Sequence, residues 1–382
     1  MRGALRIFTT GSLPLGLAGM IGLVAVVESF IAQGHDGRFT TIGTASWTYS
    51  GRAATRKVCG SEILCFGDSQ VKFGLLPRLF EQRLGKRSFN LAVHGGGPQT
   101  SEFLLRRALE AGARPAAVIV DYPPETLLAD HAHTRISEFP EVGNLRDWFE
   151  LAWTARDSDI LAAAVVAGLL PSYKDRYNIR ACAIAALRGE GSPLPKQLPV
   201  YWRNWNRNLG AHVMPPNPQY HGEVNDPMFL PLFLTPWVSK PINAVYVKRF
   251  FALAAKHHIP AYWIIQPTCP RAQAVREELG TDQQYTAFVR SVLAEFPGLV
   301  VIDVRHSGYE DRVFRDPVHL DRHGASALST DVATILERNL DPRSHGQRWV
   351  DLPKYRDEAP AVALEDLEES LAAVYSNGGV RR

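Results

Sequence analysis

The chain has 382 residues, 42 basic and 39 acidic side chains, a formal net charge of +3 and a hydrophobic content of 46%. The charges are nearly balanced and show no concentrated basic stripe, which excludes nucleic acid as an expected partner. The four cysteines show no metal-ligand spacing, and four cysteines in so long a chain do not make a disulfide scaffold. A disulfide of Cys59 stays open. We expect no metal or cofactor, because no ligand cluster or nucleotide-binding glycine fingerprint is present.

The N-terminal segment is apolar. Residues 7–27 carry no charge, follow Arg2 and Arg6 and precede Glu28. A run of this length meets the roughly 20 residues that a helix needs to cross a bilayer. We therefore predict a transmembrane anchor within residues 1–33 and place the rest of the chain outside the cytoplasm. A cleaved signal peptide and a helix packed on the body are the alternatives. Residues 34–60 are expected to form a stalk or a segment draped over the body.

Apolar runs alternate with amphipathic helical patterns along most of the chain. Because each connection contains a helix, the strands should be parallel. The pattern predicts an α/β domain over residues 61–341, with one doubly wound sheet and an insertion at about 123–241. The five predicted strands cover residues 63–66, 89–93, 117–121, 260–266 and 299–304.

Two regions lie outside this alternation. In the insertion, residues 201–208 combine aromatic rings with amides and guanidiniums that could bind a sugar, or the rings pack on the fold. The apolar run 160–170 is too short to span a membrane, so it should pack on the body or dip into the membrane surface. The charged tail 342–382 carries an apolar seam from Leu364 to Val374, which predicts docking on the body or a disordered end.

Ser69 lies where a buried strand changes to a helix, directly after Gly67 and Asp68. Backbone N–H groups at such a position suit a nucleophile whose attack creates an oxyanion. Far downstream, Asp316 stands three residues before His319. This spacing allows the acid to orient the imidazole, so we predict a triad of Ser69, His319 and Asp316. The alternatives are a helix-capping serine and a surface turn.

The predicted site residues follow strand ends. Parallel sheets bind ligands beyond the carboxyl ends of their strands. Ser69, Gly95, Tyr122, Gln266 and the loop that carries Asp316 and His319 all follow such ends, so we expect them to converge on one rim.

Three sequence blocks resemble those of the SGNH, or GDSL-type, hydrolases. They are Gly67-Asp68-Ser69 with Gly74-Leu75, Asn90-Leu-Ala-Val-His-Gly95-Gly-Gly, and Asp316-x-x-His319-Leu with Gly324. The resemblance implies a flavodoxin-like three-layer α/β/α fold with a five-stranded parallel sheet, here joined to the predicted transmembrane helix. It also implies that the Ser69 and Gly95 backbone N–H groups bind the oxyanion.

The third block of that family, which supplies an oxyanion-binding Asn, is not matched. Residues 120–125 read Val-Asp-Tyr-Pro-Pro-Glu. Gln99 or Gln266 could replace the missing donor, and we predict that Gln99, Tyr122 and Gln266 contact the substrate.

Three functions follow as hypotheses. The first is a serine esterase or deacylase acting on an acyl ester, with an acylated carbohydrate as the expected substrate. The second is a cell-surface polysaccharide O-acetyltransferase, in which a sugar hydroxyl replaces water and a membrane-bound O-acyltransferase is the partner. The third is an inactive relative that binds glycan.

Overall fold

The computed structural model describes residues 15–33, 40–191, 197–225, 237–340, 347–357 and 362–376. Within them, six parallel strands form one sheet: β1 Ile63–Phe66, β2 Ser88–Asn90, β3 Ala117–Val120, β4 Ala261–Ile265, β5 Leu299–Asp303 and β6 Trp349–Asp351. Their spatial order is β2-β1-β3-β4-β5-β6. The first five strands follow the doubly wound order in which the chain reverses direction between β1 and β3.

Helices cover both faces of the sheet, which gives the predicted three-layer α/β/α arrangement. The helices are α1 Leu15–Gln33, α2 Ile42–Arg56, α3 Ser69–Gly74, α4 Pro77–Leu84, α5 Pro98–Glu110, α6 Pro124–Leu128, α7 His131–Thr134, α8 Phe139–Val142, α9 Leu145–Ala155, α10 Ser158–Leu169, α11 Pro171–Lys174, α12 Arg176–Leu187, α13 Leu198–Arg207, α14 Pro241–Lys256, α15 Pro270–Glu278, α16 Thr281–Glu295, α17 Arg322–Asn339 and α18 Leu367–Ser376. A short 3₁₀ turn covers Asp311–Val313.

The central strands are apolar throughout because both of their faces are buried. In β1, Leu64 and Phe66 belong to one hydrophobic core, whereas Ile63 and Cys65 belong to the core on the other face. The side chains of β3 alternate in the same way, so the sheet lies between the two cores and packs against both. This sheet fixes the loops at the strand ends.

The sheet has six strands and not the five predicted. The additional strand, β6, lies in the region assigned to the tail and pairs with β5 in parallel. Its residues are half-buried or exposed, as is typical of a short edge strand, so it lacks the apolar run that identified the other five. The α/β domain therefore extends beyond residue 341.

The N-terminal helix α1 overlaps the predicted anchor. Part of that prediction, residues 7–14, lies outside the described residues. Among the helices that the structure does describe, none combines the length and apolarity required to cross a membrane. The structure thus does not confirm the predicted transmembrane helix. Glu28 of α1 accepts a hydrogen bond from the Ser172 backbone N–H at 2.9 Å, which ties α1 to α11.

Residues 40–60 are draped over the body, which was one of the two expectations for this segment. Trp47 of α2 is fully buried. Its indole Nε1 donates to the carbonyl oxygen of His94 at 3.0 Å. The segment therefore supports the loop that follows β2.

The insertion is a group of helices, α6 to α13, and its last helix holds most of the aromatic stretch. Trp205 of α13 is 3% exposed. Its ring lies 5.6 Å from that of Phe89 and 5.3 Å from that of Tyr49. Packing on the fold, one of the two alternatives for this stretch, is confirmed for Trp205. Trp202 on the same helix is 48% exposed.

The described part of the tail docks on the body, as one of the two alternatives predicted. Leu364 is buried. The Arg203 guanidinium of α13 donates two hydrogen bonds to the Glu365 carboxylate, at 2.6 and 2.9 Å. The Leu367 N–H donates to the carbonyl oxygen of Val213 at 3.1 Å. The tail therefore closes over the end of the insertion.

Candidate active site

Ser69 is positioned by a sharp turn at the end of β1. Gly67 has φ +142°, and a Cβ there would lie 2.8 Å from the Asp121 carbonyl oxygen. Glycine fits this position because other residues would meet both backbone strain and a clash. The Asp68 side chain then caps α3 by accepting a hydrogen bond from the Gln70 N–H at 2.8 Å. Ser69 is thus the first residue of α3, and its side chain lies beyond the strand end.

Asp316 and His319 form a closed turn before α17. Asp316 Oδ1 accepts hydrogen bonds from the backbone N–H groups of Val318 and His319, at 3.0 and 2.9 Å. The other oxygen, Oδ2, lies 2.7 Å from His319 Nδ1. The spacing of three residues therefore fixes the carboxylate against one ring nitrogen and leaves the other nitrogen facing outward.

The outward ring nitrogen meets the serine. His319 Nε2 lies 2.8 Å from Ser69 Oγ, across 250 residues of sequence. The His319 side chain is 16% exposed and that of Asp316 28%, so the cluster opens to the surface. The prediction that these three residues meet is confirmed.

The charge of Asp316 suits an orienting acid. Burial alone would raise its pKa, but the hydrogen bond and charge of His319, with the two backbone donors, lower the pKa below its ordinary value. The carboxylate therefore stays ionised and can accept a proton-bearing Nδ1. Nε2 is then free to accept the Ser69 proton.

The loop after β2 lies against the turn that precedes Ser69. The Val93 N–H donates to the carbonyl oxygen of Gly67 at 3.1 Å. A Cβ on Gly96 would lie 3.0 Å from the same oxygen, so the two backbones are in close contact. Gly95, with φ +62°, is on this loop as predicted. Its role as an oxyanion donor stays a prediction.

The prediction that Gln99, Tyr122 and Gln266 contact the substrate is corrected by the structure, because all three side chains are inside the protein. Gln99 is fully buried and donates to Asn243 Oδ1 at 2.8 Å. Tyr122 is fully buried, with its ring 5.6 Å from that of Trp263. Gln266 is 5% exposed. Its amide, oriented to satisfy both partners, hydrogen-bonds the backbone at 3.2 Å to Gln70 O and Val71 N. Packing and hydrogen bonds inside the fold therefore keep all three side chains almost completely away from solvent.

Carboxyl groups collect beneath the serine turn. Asp121 stands where the resembling family has its Asn, and neither carboxyl oxygen of this fully buried side chain has a partner among the described residues. Burial, followed by the charges of Asp68 and Glu125, raises its pKa well above the ordinary value. Burial also raises the pKa of Asp68 to about 6, although hydrogen bonds from Thr126 and Gln70 oppose the shift. Burial therefore favours the protonated form of Asp121.

Sequence reasoning missed a buried cation one turn after the serine. The Lys72 side chain is fully buried, and its Nζ donates to the carbonyl oxygens of Ala92 and Gly210, the latter at 3.0 Å. Burial lowers the pKa of Lys72 to about 7. These bonds fasten the end of the insertion to the loop after β2. In the sequence, the only signal that Lys72 is buried was its position within an apolar helical pattern.

A second missed residue is Arg135, which follows α7 in the insertion. Its guanidinium lies over Gly95, and a Cβ on that glycine would be 3.0 Å from Arg135 Cζ. No motif around Arg135 indicated this position, because only the fold of the insertion brings the two residues together.

One group of possible metal ligands occurs in the described part of the chain. Glu277, Asp282 and His306 bring ligand atoms within 4.8 Å of one another. The Arg305 guanidinium already donates to Asp282 at 2.5 Å and to the Asp303 carboxylate. A cation at this position would compete with that guanidinium.

The Ser69, His319 and Asp316 cluster has the geometry of a nucleophile, a general base and an orienting acid. No known family model matches this chain, and no curated protein matches it either.

Proposed function

We propose that this protein is a serine esterase of the SGNH type, which hydrolyses an acyl ester of a carbohydrate. The observation that carries the proposal is the continuous contact from Asp316 Oδ2 through the His319 ring to Ser69 Oγ, with distances of 2.7 and 2.8 Å. The three sequence blocks that resemble the SGNH hydrolases support the choice of family. The partly exposed site supports a substrate that reaches it from solvent.

In the first half of the reaction, Ser69 Oγ attacks the ester carbonyl carbon. His319 Nε2 takes the hydroxyl proton, and Asp316 stabilises the imidazolium that forms. The ester C–O bond then breaks, and the imidazolium gives its proton to the leaving alcohol oxygen. The acyl group remains attached to Ser69.

In the second half, water attacks the acyl-enzyme. His319 takes a proton from the water as its oxygen bonds to the acyl carbon, and then returns the proton to Ser69 Oγ as that ester bond breaks. The products are the free acid and regenerated Ser69. In both halves the Ser69 and Gly95 N–H groups are the proposed donors to the oxyanion.

The missing family Asn sets an expectation for the rate. Loss of one oxyanion donor typically lowers turnover by about 10²–10³. Its position is taken by Asp121, which is buried away from the surface. We therefore expect slow turnover on unactivated esters and faster turnover on esters with a good leaving group.

Labelling with a serine-reactive fluorophosphonate tests the proposal. The native chain should be labelled, Ser69→Ala should not, and the control Ser291→Ala, at an exposed serine of α16, should be labelled like the native chain. Equal labelling of native protein and Ser69→Ala, or no labelling of either, would contradict a Ser69 acyl-enzyme.

A sugar hydroxyl could replace water, which would make the protein an O-acyltransferase. The observation that favours this second candidate is the position of Tyr201. Its ring lies 5.3 Å from that of His212. Burial raises the pKa of the Tyr201 phenol, and the nearby charge of Arg315 opposes that rise. Arg315 directly precedes Asp316. An extracytoplasmic location, which the sequence around residues 7–27 predicts, would place the site beside exported glycans. Acetate release that does not change when an oligosaccharide acceptor is added would exclude the transferase.

A further inference from the structure

Arg135 holds a cationic group at the edge of the proposed active site. Its Nε and Cζ lie 3.1 and 3.0 Å from the position that a Cβ on Gly95 would occupy. Gly95 has neither a side chain nor an ordinary backbone conformation, with φ +62°. The guanidinium therefore occupies the space that the absence of a Cβ leaves on the loop after β2.

The guanidinium is connected to the catalytic base through a series of ring contacts. The Phe73 ring lies 5.0 Å from the His319 ring and 5.2 Å from the His94 ring. Burial lowers the pKa of His94, which directly precedes Gly95, and the charges of His319 and Arg135 lower it further. Arg135 therefore lies on the same rim of the sheet as Ser69 and His319, but it is not part of that hydrogen-bonded pair.

The positive charge of Arg135 is weakly compensated. Its nearest acid among the described residues is Glu138, with Oε1 at 3.9 Å from Nη1, which is beyond hydrogen-bonding distance. The other oxygen of Glu138 accepts a hydrogen bond from Ser137 at 2.8 Å. The Arg135 side chain is 39% exposed. The guanidinium is therefore partly open to solvent and has only one weakly paired acid beside it in the part of the chain that the structure describes.

The adjacent imidazoles add no charge of their own. Burial, with the charges of Lys72, His319 and Arg135, lowers the pKa of His94 to about 3. Burial also lowers the pKa of His131 to about 4. Both rings are therefore neutral at pH 7, and the local charge beside Gly95 is positive.

We propose that Arg135 binds a carboxylate of the substrate, so that the enzyme acts on esters of acidic molecules such as an acylated acidic glycan. The guanidinium fork matches the two oxygens of a carboxylate, and such charge-assisted bonds are among the strongest single contacts in recognition. This inference rests on the proposed esterase function, and it adds the charge of the substrate. Arg135 is then a specificity-determining residue of the insertion.

The test compares two esters of similar size and shape that differ in charge. They are p-acetoxybenzoate and its neutral amide, p-acetoxybenzamide. Native protein should show a kcat/KM about 10- to 100-fold higher for the anion, mainly through KM. Arg135→Gln should lower the ratio of the two kcat/KM values to near one, and Arg135→Lys should retain part of it. Arg83→Gln, at an exposed arginine of α4, is the matched control and should keep the native ratio.

Two results would overturn the proposal. One is a native protein without preference for the anion. The other is an Arg135→Gln variant that loses the same factor on both esters, which would make Arg135 a general contributor to the site. A phosphate group in place of the carboxylate, tested with p-acetoxyphenyl phosphate, distinguishes the two anions: a larger preference for phosphate would replace the carboxylate assignment.

A binding measurement separates this inference from the esterase proposal. Titration calorimetry of Ser69→Ala with p-acetamidobenzoate, which carries an amide in place of the ester, needs no turnover. The added Arg135→Gln substitution should weaken binding by about tenfold or more, while p-acetamidobenzamide should bind the two proteins alike. If Ser69 shows no reactivity but this difference appears, the esterase proposal fails and the anion site remains. If esters are hydrolysed but the difference is absent, the anion site fails alone.

Discussion

The sheet layer and the helical insertion contribute to the site in different ways. In the sheet layer, each polar atom of the Asp316–His319–Ser69 series has a partner fixed by a turn or a strand end. In the insertion, Arg135 lies over Gly95 with only a distant acid beside it. Under the proposed function, the layer would carry the reaction, whereas the insertion would select the substrate. The predictions below test this separation.

The largest effect should come from the catalytic base. His319→Gln should lower kcat/KM for the neutral ester by about 10⁴–10⁶, because the residues of such a triad act as a unit. The free energy of unfolding should fall by about 1–3 kcal/mol, because the ring is only 16% exposed and its hydrogen bonds to Asp316 and Ser69 are lost. Steady-state hydrolysis and urea unfolding measure the two quantities.

His323→Gln is the control, because this imidazole lies four residues further on in α17 and is exposed. A loss below about tenfold in the His319 variant would show that His319 is not the base, and the layer would then lose its assigned role in catalysis.

The next effect concerns the stability of the insertion. Trp205→Ala should lower the free energy of unfolding by about 3–5 kcal/mol, because it removes a large side chain that is buried between Phe89 and Tyr49. Hydrolysis per folded molecule should stay within about tenfold of the native value if the layer works independently. Urea unfolding and activity at low temperature provide the readouts.

Trp202→Ala is the matched control on the same helix, and its 48% exposure predicts a change within about 0.5 kcal/mol. Equal destabilisation by the two substitutions would contradict the observed packing of α13. A catalytic loss beyond tenfold in folded Trp205→Ala would show that the layer and the insertion are coupled.

The smallest effect comes from the buried acid beneath the serine. Because its pKa is raised by burial, folded Asp121 holds its proton to a higher pH than the unfolded chain does, whose Asp has the ordinary pKa of 3.8. The unfolded state therefore binds fewer protons as pH rises above about 4, so this group makes the free energy of unfolding fall with pH. Asp121→Asn should flatten that decline and raise stability at pH 7.

Urea unfolding between pH 5 and pH 8 measures the slope. Asp351→Asn, at an exposed carboxylate of β6, is the control that should leave the slope as it is. An unchanged slope in Asp121→Asn would mean that the buried group is ionised in the folded protein.

Much of the fold could be predicted from local pattern. The strands β1, β3, β4 and β5 are mostly apolar runs separated by helices, and both features depend on near neighbours in the chain, whereas β2, Ser88–Asn90, overlaps only the start of the predicted run 89–93. The weakly apolar β6 could not be predicted, because an edge strand is stabilised by its pairing with β5 and not by its own composition. The predicted substrate contacts of Tyr122 and Gln266 failed for a related reason: following a strand end does not determine which way a side chain points.

For the site, the sequence by itself determined which three residues, Ser69, His319 and Asp316, would meet. Gly67 permits the turn before Ser69, and the spacing of Asp316 and His319 allows the carboxylate to hold the ring; both are short-range constraints of the backbone. Only the tertiary structure decided that Arg135 would lie over Gly95 and that Lys72 would join Ala92 to Gly210. These contacts depend on the path of the helical insertion. The path of the insertion is set by the burial of its apolar helix faces. No single sequence motif predicts this path.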